Sequence, residues 1–304
     1  MLAIVAPGQG SQKPGMLVPW LELDGLADLA AEFGEAAGLD LIRLGSTADA
    51  DEIKDTAVTQ PLVVASALLA ASTFPLPSDA VAAGHSVGEL AAAALAGVLD
   101  PVTAIRVAGI RGAAMGAACA LAPTSMSAVL GGDPATVLAA LAELDLVGAN
   151  VNGGGQIVAA GTIDALAELA ENPPPGARII PLPVAGAFHT TFMAPAEDAL
   201  ADSLAQVEPG EPTRPLLTNS DGSVVERGRR YLDLLTAQVT KPVRWDACMA
   251  TLARLGITGV LELPPAGALT GLIKRDLKGV ATLALRTPDD LDKTATFLTE
   301  HRQG

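Results

Sequence analysis

Gly84-His85-Ser86-Val87-Gly88 has the form G-x-S-x-G. The apolar run Ala80 to Ala83 before it reads as a short buried strand, and Glu89 to Ala96 after it reads as a helix. Strand, glycine turn and helix in that order make a nucleophile elbow. The two glycines let the chain turn without a Cβ clash, and the Ser86 hydroxyl then stands over the N-terminus of the next helix. That helix end offers free N–H groups and a positive dipole, both suited to a developing oxyanion. The chemistry this implies is covalent acyl transfer or hydrolysis, with Ser86 as the nucleophile.

A serine nucleophile needs a base. His189 lies in Gly186-Ala187-Phe188-His189-Thr190, a turn between a predicted strand and a helix. Such junctions line the active face of an α/β sheet. His85 adjoins Ser86 and leaves the elbow in another direction, so it is expected to pack or to orient the loop. His301 sits in the tail and is set aside. No acidic residue presents itself as the third member of a triad, but a backbone carbonyl can orient the second ring nitrogen.

The elements that must position these groups are legible from apolar runs and breakers. Leu2 to Ala6 is an all-apolar run ended by Pro7-Gly8, as expected of a strand in a parallel sheet covered on both faces. Helices are expected over Leu26 to Ala37, from Gln60-Pro61 to about Ser72 with proline in the first turn, and from Val102 to Ala120. From 123 the order is strand Ser127–Leu130, helix Pro134–Leu144, strands Leu146–Val151 and Gln156–Ala160, helix Thr162–Glu171 and strand Arg178–Leu182. That is the βαββαβ order of a ferredoxin-like unit. The expected fold is therefore α/β: a large α/β-hydrolase-like domain with a parallel sheet core, formed by 1–122 and 186–304, and a small ferredoxin-like subdomain over 123–185. In the second large segment, helices are expected over Phe192–Val207, Tyr231–Val239, Ala247–Leu255 and Ala268–Leu277, with strands at Leu216–Thr218 and Gly259–Leu263. The tail after Pro288 carries no signal of an element.

Composition narrows the function classes. A chain of 304 residues, half of them apolar, can bury a large core. The formal net charge of −15 argues against a nucleic-acid partner. Basic residues crowd the last third, among them Arg227, Arg229, Arg230, Lys241, Arg244, Lys274, Arg275 and Lys278, either as solvated surface charges or as an anion-recognising patch. Two cysteines, Cys119 and Cys248, make no disulfide framework, and no His/Cys spacing calls for a metal. The N-terminus lacks the basic region of a targeting segment, and the longest apolar run, Pro61 to Ala71, is too short to span a bilayer. A cytoplasmic, monomeric protein without a membrane segment is expected.

Pro7-Gly8-Gln9-Gly10-Ser11-Gln12, Gly84-His85-Ser86-Val87-Gly88-Glu89, Arg111-Gly112, Ala187-Phe188-His189 and Pro242-Val243-Arg244-Trp245 occur in one order across nearly the whole chain. In order and spacing they resemble the malonyl-CoA:acyl-carrier-protein transacylases. The resemblance implies roles position by position. Ser86 is the residue that becomes malonylated, and His189 the base and later the acid. The backbone N–H groups of Gln9 and Val87 form the oxyanion hole. Arg111 holds the free malonyl carboxylate by a two-point pair. The main-chain carbonyl of Gln238 steadies His189 in place of a triad carboxylate. Asn152 lines the cleft from the small subdomain, and Phe188 fills the space a 2-methyl group would need. Taken singly, Arg111 would read as a surface helix arginine and His189 as a packed core histidine; the ensemble changes both readings. Glu89 is read only as a first-turn acid that favours the helix dipole. Gly154 stands where many relatives carry proline.

The implied activity is malonyl transfer from malonyl-CoA to the phosphopantetheine thiol of acyl carrier protein, supplying fatty acid elongation, with no cofactor of the enzyme's own. Lys274 and Arg275 are the expected docking point for an acidic carrier protein. The competing readings are a discrete acyltransferase serving a polyketide synthase, a serine thioesterase or esterase that would give Arg111 no role, and an inactive carrier-binding scaffold.

Overall fold

The computed structural model describes residues 1–301. In chain order the first part contains β1 (Leu2–Ala6), α1 (Val18–Leu21), α2 (Leu26–Ala37), α3 (Leu41–Ser46), α4 (Thr56–Ala71), β2 (Val81–Gly84), α5 (Gly88–Leu95) and α6 (Pro101–Cys119). The middle contains β3 (Thr124–Gly131), α7 (Pro134–Glu143), β4 (Val147–Gly153), β5 (Gln156–Thr162), α8 (Ile163–Glu171) and β6 (Ala177–Pro181). Then follow α9 (Ala194–Ala205), α10 (Gly228–Gln238), β7 (Val243–Arg244), α11 (Trp245–Arg254), β8 (Gly259–Glu262), α12 (Ala268–Asp276), β9 (Ala281–Ala284) and α13 (Leu291–His301).

The first sheet has the order β2-β1-β8-β9 and is parallel throughout. Every residue of β1 is buried. Its alternate side chains feed two cores: Leu2, Ile4 and Ala6 join the larger one with α4, α5, α6 and α9, while Ala3 and Val5 join the one under α11 and α12. A strand covered on both faces has no polar face to show, so it reads as an unbroken apolar run.

The second sheet has the order β6-β3-β5-β4-β7. Its pairings between 124 and 181 are antiparallel, and α7 and α8 close a third core with it through Val129, Val137, Leu141, Ile157, Leu166 and Leu169. β7 comes from outside that segment and adds in parallel to β4, Asn150 opposite Val243 and Val151 opposite Arg244. Through β7 the second sheet also meets the loop after Leu217, the Arg244 N–H donating to the Asn219 carbonyl at 2.8 Å.

Several elements depart from expectation. α4 begins at Thr56 because the Asp55 side chain accepts from the Ala57 N–H and caps it there, which leaves Pro61 inside the helix. Nearly all of α4 is buried, so it has no polar stripe to mark its start. Residues Leu216 and Leu217 form isolated bridges to Ala82 and Val224, not a strand. The tail contains β9 and the helix α13, whose Thr294 and Leu298 are buried. Only two buried positions in that helix left too thin an apolar pattern to read.

One described helix, α6, is long and apolar enough to cross a membrane by length and composition, and half of its apolar window is buried in the fold. It carries Arg111, 2% exposed, into the interior.

Candidate active site

β2 ends at Gly84 and α5 begins at Gly88, so the elbow is as tight as the spacing predicted. A Cβ on Gly84 would collide with the Gly88 backbone, and one on Gly88 with the carbonyls of Ala6 and Pro7. Only glycine at both positions lets α5 close onto the end of β1. Ser86 takes φ 53° and His189 takes φ 61°; with Asp145 they are the non-glycine residues of positive φ among the described residues. Such backbone strain is held by its surroundings. At the elbow the holder is Asn219: its Oδ1 accepts from the Ser86 N–H at 2.7 Å, and its Nδ2 donates to the Gly84 carbonyl at 2.7 Å.

Ser86 Oγ lies 2.7 Å from His189 Nε2, and His189 Nδ1 lies 2.8 Å from the Gln238 carbonyl. A carbonyl only accepts, so Nδ1 carries the proton and Nε2 is free to accept from the serine hydroxyl. His189 is buried, which lowers its pKa to about 3, with the nearby Arg111 charge as the second cause. The ring is therefore neutral and able to take a proton.

Arg111 is also buried. Nη1 donates to Gln60 Oε1 at 2.7 Å, and Nη2 donates to Gln238 Oε1 at 2.9 Å and to Ser86 Oγ at 3.4 Å. Burial lowers its pKa to about 10, against the opposing pull of Glu89, so it remains a cation at neutral pH. Among the described residues it has no carboxylate at ion-pair distance.

Glu89 is 1% exposed. Its Oε1 accepts from the Asn219 N–H at 2.7 Å, and its Oε2 accepts from Gln238 Nε2. Burial pushes its carboxyl upward, opposed by the Asn219 N–H and the Arg111 charge. It is therefore more than the first-turn acid favouring the helix dipole that its place in the sequence implied.

Ser86 and His189 floor a cleft of about 400 Å³ between the two sheets. Gly8, Gln9, His85, Ser86, Phe188 and His189 line it from one side, and Met126, Asn150, Asn152 and Val158 from the other. Asn152 Oδ1 lies 2.8 Å from His85 Nε2, and the His85 ring meets Trp245 edge-on at 5.7 Å. His85 thus ties the elbow to the second sheet. Among the described residues, the backbone N–H groups of Gln9 and Val87 donate to no protein acceptor. Gly153, Gly154 and Gly155 take φ of 70°, 55° and 72°, a turn that proline at 154 could not enter.

An acyl transferase domain model matches residues 4–303. The malonyl CoA-acyl carrier protein transacylase of Mycobacterium tuberculosis strain H37Rv is 53% identical over 302 residues, covering 98% of this chain and all of that protein. The chain belongs to the malonyl CoA-acyl carrier protein transacylase family. The Escherichia coli K12 transacylase is 34% identical over 296 residues, covering 94% and 96% of the two chains. A crystal structure of MCAT from Mycobacterium tuberculosis superposes with a TM-score of 0.93 at 52% identity, over 97% of this chain and 99% of that one. A malonyl-transacylase solved in complex with a type II PKS acyl-carrier protein superposes at 0.89 with 30% identity, over 98% and 99%.

Ser86, His189, Gln9, Val87, Arg111, Phe188, Asn152 and Gln238, singled out from the sequence, all converge on or beneath this one cleft. Three neighbours were missed: Gln60, Asn219 and the bonded role of Glu89. Gln60 had a signal, being the one long polar side chain in a nearly all-buried helix whose other polar residues are threonines and a serine. Asn219 directly follows Leu216–Thr218, and nothing in that run marks its side chain as facing the elbow.

The low His189 value sets a pH expectation. Its folded pKa lies below the ordinary 6.5, so its contribution to stability is full above 6.5 and is lost as pH falls toward about 3. The kcat/KM for Ser86 acylation, which reports the free enzyme, should stay level from about pH 8 to about pH 5, because the base is already neutral there. Stopped-flow release of CoA against pH reads this directly, and a half-maximal point near that of free imidazole would contradict it.

Proposed function

We propose that this chain moves the malonyl group of malonyl-CoA onto the phosphopantetheine thiol of an acyl carrier protein through a malonyl ester on Ser86. His189 Nε2 takes the hydroxyl proton as Ser86 Oγ attacks the thioester carbonyl. The backbone N–H groups of Gln9 and Val87 receive the oxyanion. The C–S bond breaks, and the CoA sulfur leaves with the proton from His189. The carrier thiol then enters, gives its proton to His189 and attacks the ester carbonyl; Ser86 leaves and takes that proton back. Dividing one transfer between two bulky thioesters into two steps is what the covalent intermediate provides.

The observation that carries this reading is a buried Arg111 with no carboxylate at ion-pair distance among the described residues and its Nη2 3.4 Å from the nucleophile. Malonyl differs from acetyl by a carboxylate, which a guanidinium can meet with two parallel hydrogen bonds. An acetyl group leaves the buried charge unmatched, a penalty of about 3–5 kcal/mol by analogy with broken buried pairs. The same contact helps the chemistry. Arg111 is one of the charges that hold His189 low, so a carboxylate that neutralises it lets the base strengthen once the correct acyl group is bound. An esterase gains nothing from such an arginine.

Phe188, buried against the cleft beside the base, fills the space of a 2-methyl substituent and favours malonyl over methylmalonyl. Asn152, with His85, shapes the wall opposite. The order β6-β3-β5-β4 supports reading 123–185 as a ferredoxin-like subdomain inserted into an α/β-hydrolase-like domain of 1–122 and 186–304. Fatty acid elongation is the pathway assigned, the 53% identity to the transacylases outweighing the 30% to the polyketide relative.

Of the basic residues in the last third, Arg229 is spent on carbonyls of residues 204 and 207, Arg227 pairs with Glu211 and Arg244 with Asp246. Lys274, Arg275 and Lys278 are exposed at the end of α12 with no ion pair among the described residues, and Arg275 reaches the cleft mouth. They make the docking point for an acidic carrier. Charge reversal at Lys274 and Arg275 should raise KM for the carrier about tenfold and leave Ser86 malonylation unchanged; an unaltered carrier KM would remove the patch from the account.

Intact-mass spectrometry after incubation with malonyl-CoA, acetyl-CoA and methylmalonyl-CoA in turn tests the transfer itself. A malonyl adduct is expected on the wild type and none on S86A. With R111A, malonyl labelling should slow by about a hundredfold and acetyl labelling far less. Release of CoA without any adduct would indicate a hydrolase instead.

A further inference from the structure

Gln238 serves two masters. Its main-chain carbonyl holds His189, and its side-chain amide lies between Arg111 and Glu89. The amide has a direction. Its Nε2 faces three acceptors: Glu89 Oε2, Asn219 Oδ1 at 3.2 Å and the Ser86 carbonyl at 3.3 Å. Its Oε1 faces a donor, Arg111 Nη2, at 2.9 Å. Reversing the amide would set NH₂ against the guanidinium and take Nε2 away from all three acceptors, so the direction is fixed by the donors and acceptors at its two ends.

Glu89 is the acceptor at one end: both of its carboxyl oxygens face donors. It is absent from the cleft lining and bonds neither Ser86 Oγ nor His189 among the described residues, so it touches no reacting atom. Its other oxygen is committed to the Asn219 N–H, which prevents it from turning away.

We propose that Glu89 is a positioning residue for acyl selectivity: it orients the Gln238 amide with its oxygen toward Arg111, and so holds the guanidinium where the carboxylate of the acyl group arrives. This rests on the malonyl-transfer reading above. The chemistry of the substitution follows. In E89Q the new amide must accept from the Asn219 N–H with its oxygen, which turns its own NH₂ toward the NH₂ of Gln238. Two donors then face each other. The Gln238 amide must shift or reverse, and Arg111 loses the acceptor that holds Nη2. The Gln238 main-chain carbonyl is untouched, so His189 keeps its partner.

That separation makes the inference testable. Ser86 labelling rates are measured over a range of malonyl-CoA and acetyl-CoA concentrations for the wild type, E89Q and E89D, with circular dichroism to check folding. E89Q should lower kcat/KM for malonyl-CoA about tenfold or more, chiefly through KM, while acetyl-CoA labelling stays within about threefold of wild type. E89D keeps a carboxyl head group on a shorter arm and should recover part of the selectivity. A loss equal for both acyl groups would assign Glu89 to the elbow alone, and an unchanged ratio would leave it no role in selectivity; either overturns the proposal. If E89Q does not fold, Q238M carries the test, since it removes both poles of the amide and keeps the main-chain carbonyl. The malonyl-to-acetyl ratio must then fall by a similar factor, and an unchanged ratio overturns the proposal. Absence of malonyl labelling on the wild type is a separate result, and it would strike the transfer reading itself.

Discussion

A guanidinium buried beneath the nucleophile is the constraint on which the rest of this structure depends. Taking a full charge out of water is costly unless it is met by hydrogen bonds or an opposite charge. Here Arg111 is met by two neutral amide oxygens, those of Gln60 and Gln238, and by a more distant serine hydroxyl. Those partners satisfy part of its donor set without neutralising it. The site is thus solvated by the protein in a way that leaves room for one more negative group, next to the atom that will carry the acyl chain.

The surrounding architecture keeps that arrangement from relaxing. Ser86 and His189 both occupy left-handed backbone conformations that side chains of their kind seldom adopt. Asn219 pins one from the backbone of the elbow, and the Gln238 carbonyl holds the ring of the other. Asn219 is in turn held by Glu89, and Tyr231, fully buried, donates to carbonyls of Glu89 and Leu217. Nucleophile, base and clamp therefore draw on the same few polar side chains at the C-terminal edge of the parallel sheet. The second sheet contributes the opposite wall and is tied in by His85 and Asn152.

Much of this was legible in the chain. The elbow could be read because glycine at 84 and 88 is a steric requirement and an apolar run before it gives way to an alanine-rich helix after it. His189 was found because a strand-to-helix turn is where a base must stand. The βαββαβ order was plain because the apolar runs there are set apart by Pro134, by the glycines 153–155 and by the Thr162 cap. What escaped were interactions between residues distant in sequence. Glu89 at the start of a helix looks the same whether it faces solvent or, as here, bonds to residues 219 and 238. The start of α4 was misplaced because Pro61 is a familiar first-turn residue, while the Asp55 cap gave the weaker signal. The helix α13 buries too few side chains to declare itself.

The account stands or falls on where the acyl carboxylate goes. The crystal structure of the S86A variant with malonyl-CoA bound answers this most directly. The account predicts both carboxylate oxygens on the Arg111 guanidinium and the thioester carbonyl directed at the N–H groups of Gln9 and Val87. A carboxylate turned outward to solvent or to Arg275, with Arg111 still bound only to Gln60 and Gln238, would contradict it.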